Sequence, residues 1–154
     1  MSVTLVACGD SGPTREEYIA KADAFCKEHN AEAKERNQKL QDIATSAKSE
    51  DEFFEKATPE LEDGLEWTRD SQEEFKDIEP PEADKETIDK FVAATDEGID
   101  KLEKMVEAAR DHDLDRFTDI ASEQENIGDR ADQIAQDYGL KECGSGSNEA
   151  GATS

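Results

Sequence analysis

Five side chains carry most of the covalent and ligand chemistry open to this chain: Cys8, Cys26, Cys143, His29 and His112, its only cysteines and histidines. Cys8 ends the run Val3-Thr4-Leu5-Val6-Ala7 and opens the stretch Gly9-Asp10-Ser11-Gly12-Pro13. Leu5-Val6-Ala7-Cys8 reads as a lipobox, in which small residues before a cysteine admit the lipidating and cleaving enzymes and the thiol takes a diacylglyceryl group. That chemistry puts the mature protein on the extracytoplasmic face of the cell membrane, held there by acyl chains. A signal peptide also carries a cationic region and an apolar stretch of about 7–15 residues. Seven residues precede Cys8 and none is Lys or Arg, so either the true start lies upstream or the protein is cytoplasmic with an apolar N-terminus.

The cysteine count bears on the same choice. An exported protein with three cysteines leaves one thiol to explain, and lipid on Cys8 leaves Cys26 and Cys143 as a pair. A bond between them closes a loop of roughly 118 residues, which the chain-entropy model credits with about 5 kcal/mol at most. In a reducing cytoplasm they are instead two unrelated thiols.

His29 and Glu32 form His-x-x-Glu on one helix face, a spacing that resembles the one in bacterial helical iron-uptake lipoproteins of the imelysin kind. The pair are the candidate metal ligands; the simpler reading is a half-buried histidine packed near the disulfide. His112, between Asp111 and Asp113, reads as a solvated loop residue. A di-iron bundle requires Glu-x-x-His on two helices, and neither histidine has a glutamate three residues before it. The Cys-x-x-Cys-His of c-type haem attachment is missing. No serine sits in Gly-x-Ser-x-Gly, and Gly144-Ser145-Gly146-Ser147 is linker composition. No catalytic residue and no cofactor is assigned, and a non-enzymatic role is expected.

These residues are positioned by helices. Thr14 with Glu17 is a capping box, and Ile19, Ala22, Cys26, His29, Ala33, Leu40, Ile43 and Ala47 follow at helical spacings to about Lys48. Ser49 with Glu52 repeats the signature, and Phe53, Phe54, Ala57, Leu61, Leu65, Phe75 and Ile78 continue to Glu79-Pro80-Pro81. Pro59 lacks a donor and is expected to kink or split this helix. A third helix is predicted from about Glu82 to Arg110, with Ile88, Phe91, Ile99, Leu102 and Val106 on its stripe. The fourth carries Leu114, Phe117, Ile120, Ile127, Ala131, Ile134 and Tyr138, with Gly139 at the left-handed cap and Leu140 as its apolar partner.

Short connections make an all-α, up-down-up-down four-helix bundle of residues 14–143, preceded by a partial lipoprotein signal and linker (1–13) and followed by a flexible tail (144–154). In that topology Cys26 lies about 18 Å along the first helix. The five residues from Gly139 to Cys143 reach about 16–18 Å, so the Cys26–Cys143 disulfide and the bundle are compatible.

The chain has 41 acidic against 18 basic residues, a net charge of -23, and only 34% hydrophobic residues. All acids except Asp10 and Glu149 fall between Thr14 and Cys143, so the charge belongs to helix exteriors. Nucleic acid and anionic lipid surfaces are repelled; metal ions, polyamines and basic peptides are attracted. Trp67 falls between Leu65 and Thr68, on a flank where it covers a neighbouring helix or anchors a partner.

The lipobox, the segment from Tyr18 to Cys26 with Asn30 four residues on, the Pro80-Pro81 break and the closing Tyr138-Gly139-Leu140-Lys141-Glu142-Cys143 resemble a group of small, mostly uncharacterised lipoproteins of high-GC Gram-positive bacteria. The resemblance implies a secreted, lipid-anchored, disulfide-closed helical domain and carries no activity with it. The expected role is a monomeric, envelope-associated binding protein with a protein or cationic partner. The alternative is a cation- or metal-binding lipoprotein using acidic patches and His29.

Overall fold

The computed structural model of the protein describes residues 12–145; Cys8, and with it the lipobox, lies outside the described residues. Four helices follow one another: α1 (Arg15–Ser46), α2 (Glu50–Lys76), α3 (Lys85–Arg110) and α4 (Leu114–Tyr138). No strand occurs among the described residues. The protein is an all-α four-helix bundle closed by a Cys26–Cys143 disulfide. Among the described residues, no helix is long and apolar enough to cross a membrane.

Local chemistry sets the boundaries. Thr14 Oγ1 accepts from the Glu17 amide at 3.2 Å while the Glu17 carboxylate accepts from the Thr14 amide at 2.9 Å, a complete capping box. Ser49 caps α2 through the Glu52 amide. Glu52 reaches one residue further back than a capping box requires, to the Lys48 amide at 3.0 Å, and also pairs with Lys56 at 2.7 Å. Asp113 caps α4 through the Arg116 amide at 3.0 Å. At the other end of α4, Gly139 adopts a φ of 107°. Its amide donates to Gln136 and the Leu140 amide to Ala135, a Schellman closure with Leu140 fully buried beneath it.

Two boundaries differ from expectation. α2 ends at Lys76, before Ile78. The chain then passes through Pro80 and the extended Pro81 and enters α3 through a tight 3₁₀ turn at Glu82–Asp84. Proline at 80 and 81 removes two amides from any continuing helix. Pro59 does not split α2, which stays helical on both sides of it; the Glu55 carbonyl forgoes its partner amide.

The core lies in two clusters along the bundle. Near the chain ends, Tyr18, Ala22, Phe75, Ile88, Phe91, Ala94, Ala131, Ala135, Tyr138 and Leu140 pack together. At the other end Phe54, Ala57, Leu61, Leu65, Val106 and Ala109 do so, with Leu40 and Ile43 of α1 and Phe117 of α4 against them. α3 and α4 form the most extensive helix pair, and small residues explain it: Ala94, Gly98, Ala131 and Ala135 are buried there. A Cβ on Gly98 would already lie 3.4 Å from the Gln124 side chain. α1 is the exception. Along its 32 residues only Tyr18 and Ala22 are buried.

Gly64, in the interior of α2, has open space where a Cβ would stand. Gly64→Ala is expected to raise the unfolding free energy by about 0.5–1 kcal/mol through helix propensity. Phe54→Ala, which empties a fully buried ring site, is expected to lower it by about 3–5 kcal/mol. Urea denaturation of the two variants checks both signs.

Candidate functional site

The chain's closing segment is built onto α1 by polar contacts of α1's own side chains. The Asp23 carboxylate accepts from the amides of Lys141 at 3.2 Å and Glu142 at 2.9 Å. Asn30 Nδ2 donates to the Glu142 carbonyl at 2.7 Å. Between them Cys26 and Cys143 are bonded, with their Cα atoms 5.0 Å apart. Gly144 is buried, and Gln136 donates to its carbonyl at 2.6 Å. A Cβ at Gly144 would lie 2.7 Å from the Gln136 side chain and 3.0 Å from the Asp132 carbonyl, so only glycine fits. The ordered closure therefore runs through Ser145, two residues into the segment expected to be tail; residues 146–154 lie outside the described residues.

The start of α1 is locked to the end of α4 as well. Arg15 donates to the Tyr138 carbonyl at 2.8 Å, and its guanidinium lies 4.3 Å from the centre of the Tyr138 ring. Tyr138 packs edge-on against Tyr18 and donates its hydroxyl proton to Asp84 at 2.9 Å. Burial, and then the Asp84 carboxylate that accepts this proton, push the Tyr138 phenol well above its usual range. Burial alone pushes Tyr18 up to about 12, and its buried hydroxyl has no hydrogen-bond partner among the described residues.

Half-way along α1 the sequence's metal candidates come into view. The Nδ1–H of His29 donates to the Phe25 carbonyl at 2.9 Å, and the imidazole stacks on the Phe25 ring at 3.8 Å. The Trp67 ring of α2 lies tilted beside it, 5.8 Å away between ring centres, and Nε2 lies 3.9 Å from Glu74. Glu32 turns instead to Arg36, at 3.0 Å. No group of three or more His, Cys, Asp or Glu side chains that could hold a metal ion occurs among the described residues. His29 packs between the Phe25 ring of α1 and the Trp67 ring of α2. Trp67 is half-buried with the Arg36 guanidinium 5.1 Å from its ring centre, and so covers the neighbouring helix.

His112 is more engaged than a solvated loop residue. It is exposed and takes a positive φ of 54° in the α3–α4 turn, yet it stacks on buried Phe54 at 5.4 Å and meets Asp51 at 2.9 Å. It thus ties that turn to the start of α2.

One surface feature combines shape and charge. A groove of about 520 Å³ runs between α1 and α2, with Glu28, Glu32 and Glu35 on one wall and Glu60 and Asp63 on the other. Arg36 and Lys39 cross it, pairing with Asp63 at 2.5 Å and Glu60 at 2.6 Å. Asp63 and Glu32 together hold the Arg36 guanidinium more firmly protonated than usual. Five carboxylates against two cations leave a surface that attracts positive charge. Sequence spacing did not mark it, since 41 acids produce every spacing by chance.

The two tyrosines make alkaline pH the sensitive condition. Above about pH 10 an unfolded tyrosine loses its proton, while folded Tyr18 keeps its own to about pH 12. The folded state then binds more protons than the unfolded one, and stability falls with rising pH by up to about 1.4 kcal/mol per unit for each such group. Tyr18→Phe is expected to flatten that fall and to leave stability at pH 7 unchanged or higher, because the lost hydroxyl has no partner among the described residues. Urea midpoints at pH 7, 10 and 11 check it.

The chain matches no protein-family model, no curated protein and no solved structure.

Proposed function

We propose that this chain is a lipid-anchored, extracytoplasmic helical bundle that binds a partner at the cell envelope and does not catalyse a reaction. The observation that carries the reading is the Cys26–Cys143 disulfide. A bond of this kind belongs to oxidising compartments, and its formation leaves Cys8 as the one cysteine to explain, at the end of Leu5-Val6-Ala7. A diacylglyceryl group supplies two acyl chains, which is what stable anchoring requires where one is marginal.

The anchor would also orient the bundle. Five residues separate Cys8 from Thr14, a reach of about 20–22 Å over the six steps between them, so the disulfide-closed end would sit near the bilayer. α1 would then rise away from it by about 48 Å at 1.5 Å per residue, carrying the α1–α2 groove outward. A surface this acidic is repelled by anionic headgroups, which favours a bundle standing off the membrane. The five carboxylates of the groove favour a basic protein segment or another cation as its partner, in keeping with the cation-binding alternative.

Expressed with its native upstream region, the protein is expected to partition into the detergent phase, and Cys8→Ala is expected to move it to the aqueous phase. A variant that stays with the detergent, or a wild-type protein that never enters it, would contradict the reading.

A further inference from the structure

We propose that the distal half of α1, residues 31–46, is a strap that opens and closes over the second apolar cluster while the disulfide holds the proximal half of the same helix in place. The two halves of α1 are attached to the bundle in different ways. Among the described residues, the contacts of α1 with α4 and the closing segment lie at or before Asn30: the Arg15 and Tyr18 contacts to Tyr138, Asp23 under the closing segment, the Cys26–Cys143 bond and the Asn30 side chain on the Glu142 carbonyl. No residue of α1 beyond Ala22 is buried, whereas α2, α3 and α4 each bury six or more residues.

What holds the strap is correspondingly light. Arg36 and Lys39 form ion pairs to α2 at the surface, where such pairs contribute little. Leu40 and Ile43 are only partly buried against the cluster. The last turn of α1 has no basic residue to satisfy the negative end of the helix dipole. The carboxylates on the two walls of the groove repel one another. Regions with few buried apolar contacts and exposed hydrogen bonds form the low-stability opening units of a fold.

Opening does not require the rest to unfold. Phe54, Ala57, Leu61 and Leu65 come from α2 and Val106 and Ala109 from α3, and Phe117 of α4 closes them from the other side. Lifting residues 31–46 removes Leu40 and Ile43 and uncovers the α2 side of the cluster at the end of the bundle remote from Thr14. The disulfide marks where the opening stops.

Hydrogen exchange of the full chain, read by mass spectrometry on peptides from each helix, tests this. With the disulfide intact, amides of 31–46 are expected to be protected about 100-fold less than those of α3 and α4, with 15–30 protected like the core. Reduction by a phosphine is expected to extend the weak protection through 15–30 and leave α2–α4 slow. Arg36→Ala combined with Lys39→Ala is expected to raise exchange several-fold in 31–46 alone. Protection of 31–46 equal to that of α3, persistence of protection at 15–30 after reduction, or a rise across all four helices in the double variant would each overturn the proposal.

Discussion

A helix that fully buries only Tyr18 and Ala22 along 32 residues, with Ile19, Phe25, Leu40 and Ile43 partly buried against the two clusters, gains less from the hydrophobic effect than its neighbours, and the other end of the chain adds to what keeps α1 in place. Cys143 reaches back to Cys26 across 117 residues of sequence. Around that bond Asp23 and Asn30 satisfy backbone groups of the segment that carries it. Closing so long a loop removes more unfolded-state entropy than a short one would, about 5 kcal/mol at the upper end of the chain-entropy account. That is comparable to the whole net stability of a small domain. α2, α3 and α4 hold together by apolar packing; α1 joins them largely through the closure.

The same constraint organises the charge. With 41 acids and 18 bases, like-charge repulsion opposes compaction everywhere, and most of the basic residues are used in ion pairs, within a helix as Lys56 with Glu52 or between α2 and α3 as Arg69 with Glu103 and Arg110 with Glu62. Between α1 and α2 the pairs of Arg36 with Asp63 and Lys39 with Glu60 leave the five groove carboxylates in excess, and the groove remains acidic. A covalent closure tolerates that repulsion where a packed interface of Leu40 and Ile43 alone would not. The acidic α1–α2 groove thus lies against the helix most dependent on the disulfide.

Much of this was readable from residues. Thr14 with Glu17, Ser49 and Gly139 marked helix ends because each acts through backbone groups a few positions away, and the structure has all three where expected. The Cys26–Cys143 pair followed from the count of three cysteines and the reach of five residues. The weakness of α1 was not readable: Ala22, Cys26, His29 and Ala33 recur at core spacing, yet of these only Ala22 is buried, while Tyr18, four residues before Ala22 on the same stripe and not picked out from the sequence as core, is fully buried. The roles of Asp23 and Asn30 were not readable for another reason, although both fall among the residues that carry the resemblance. Their partners lie 112–119 residues away, and no local pattern distinguishes them from the solvated acids and amides around them. The 3₁₀ entry to α3 depends on the extended backbone at Pro81, which a helical stripe does not register.

The claim that closure through Cys26 and Cys143 holds α1 to the bundle is tested most directly by equilibrium urea unfolding of the oxidised protein beside Cys26→Ser combined with Cys143→Ser. The account predicts that the double variant is still helical but loses about 2–5 kcal/mol of unfolding free energy, with a clearly lower urea midpoint. Two proteins that unfold at the same midpoint would show that α1 is held by its packing and contradict the account.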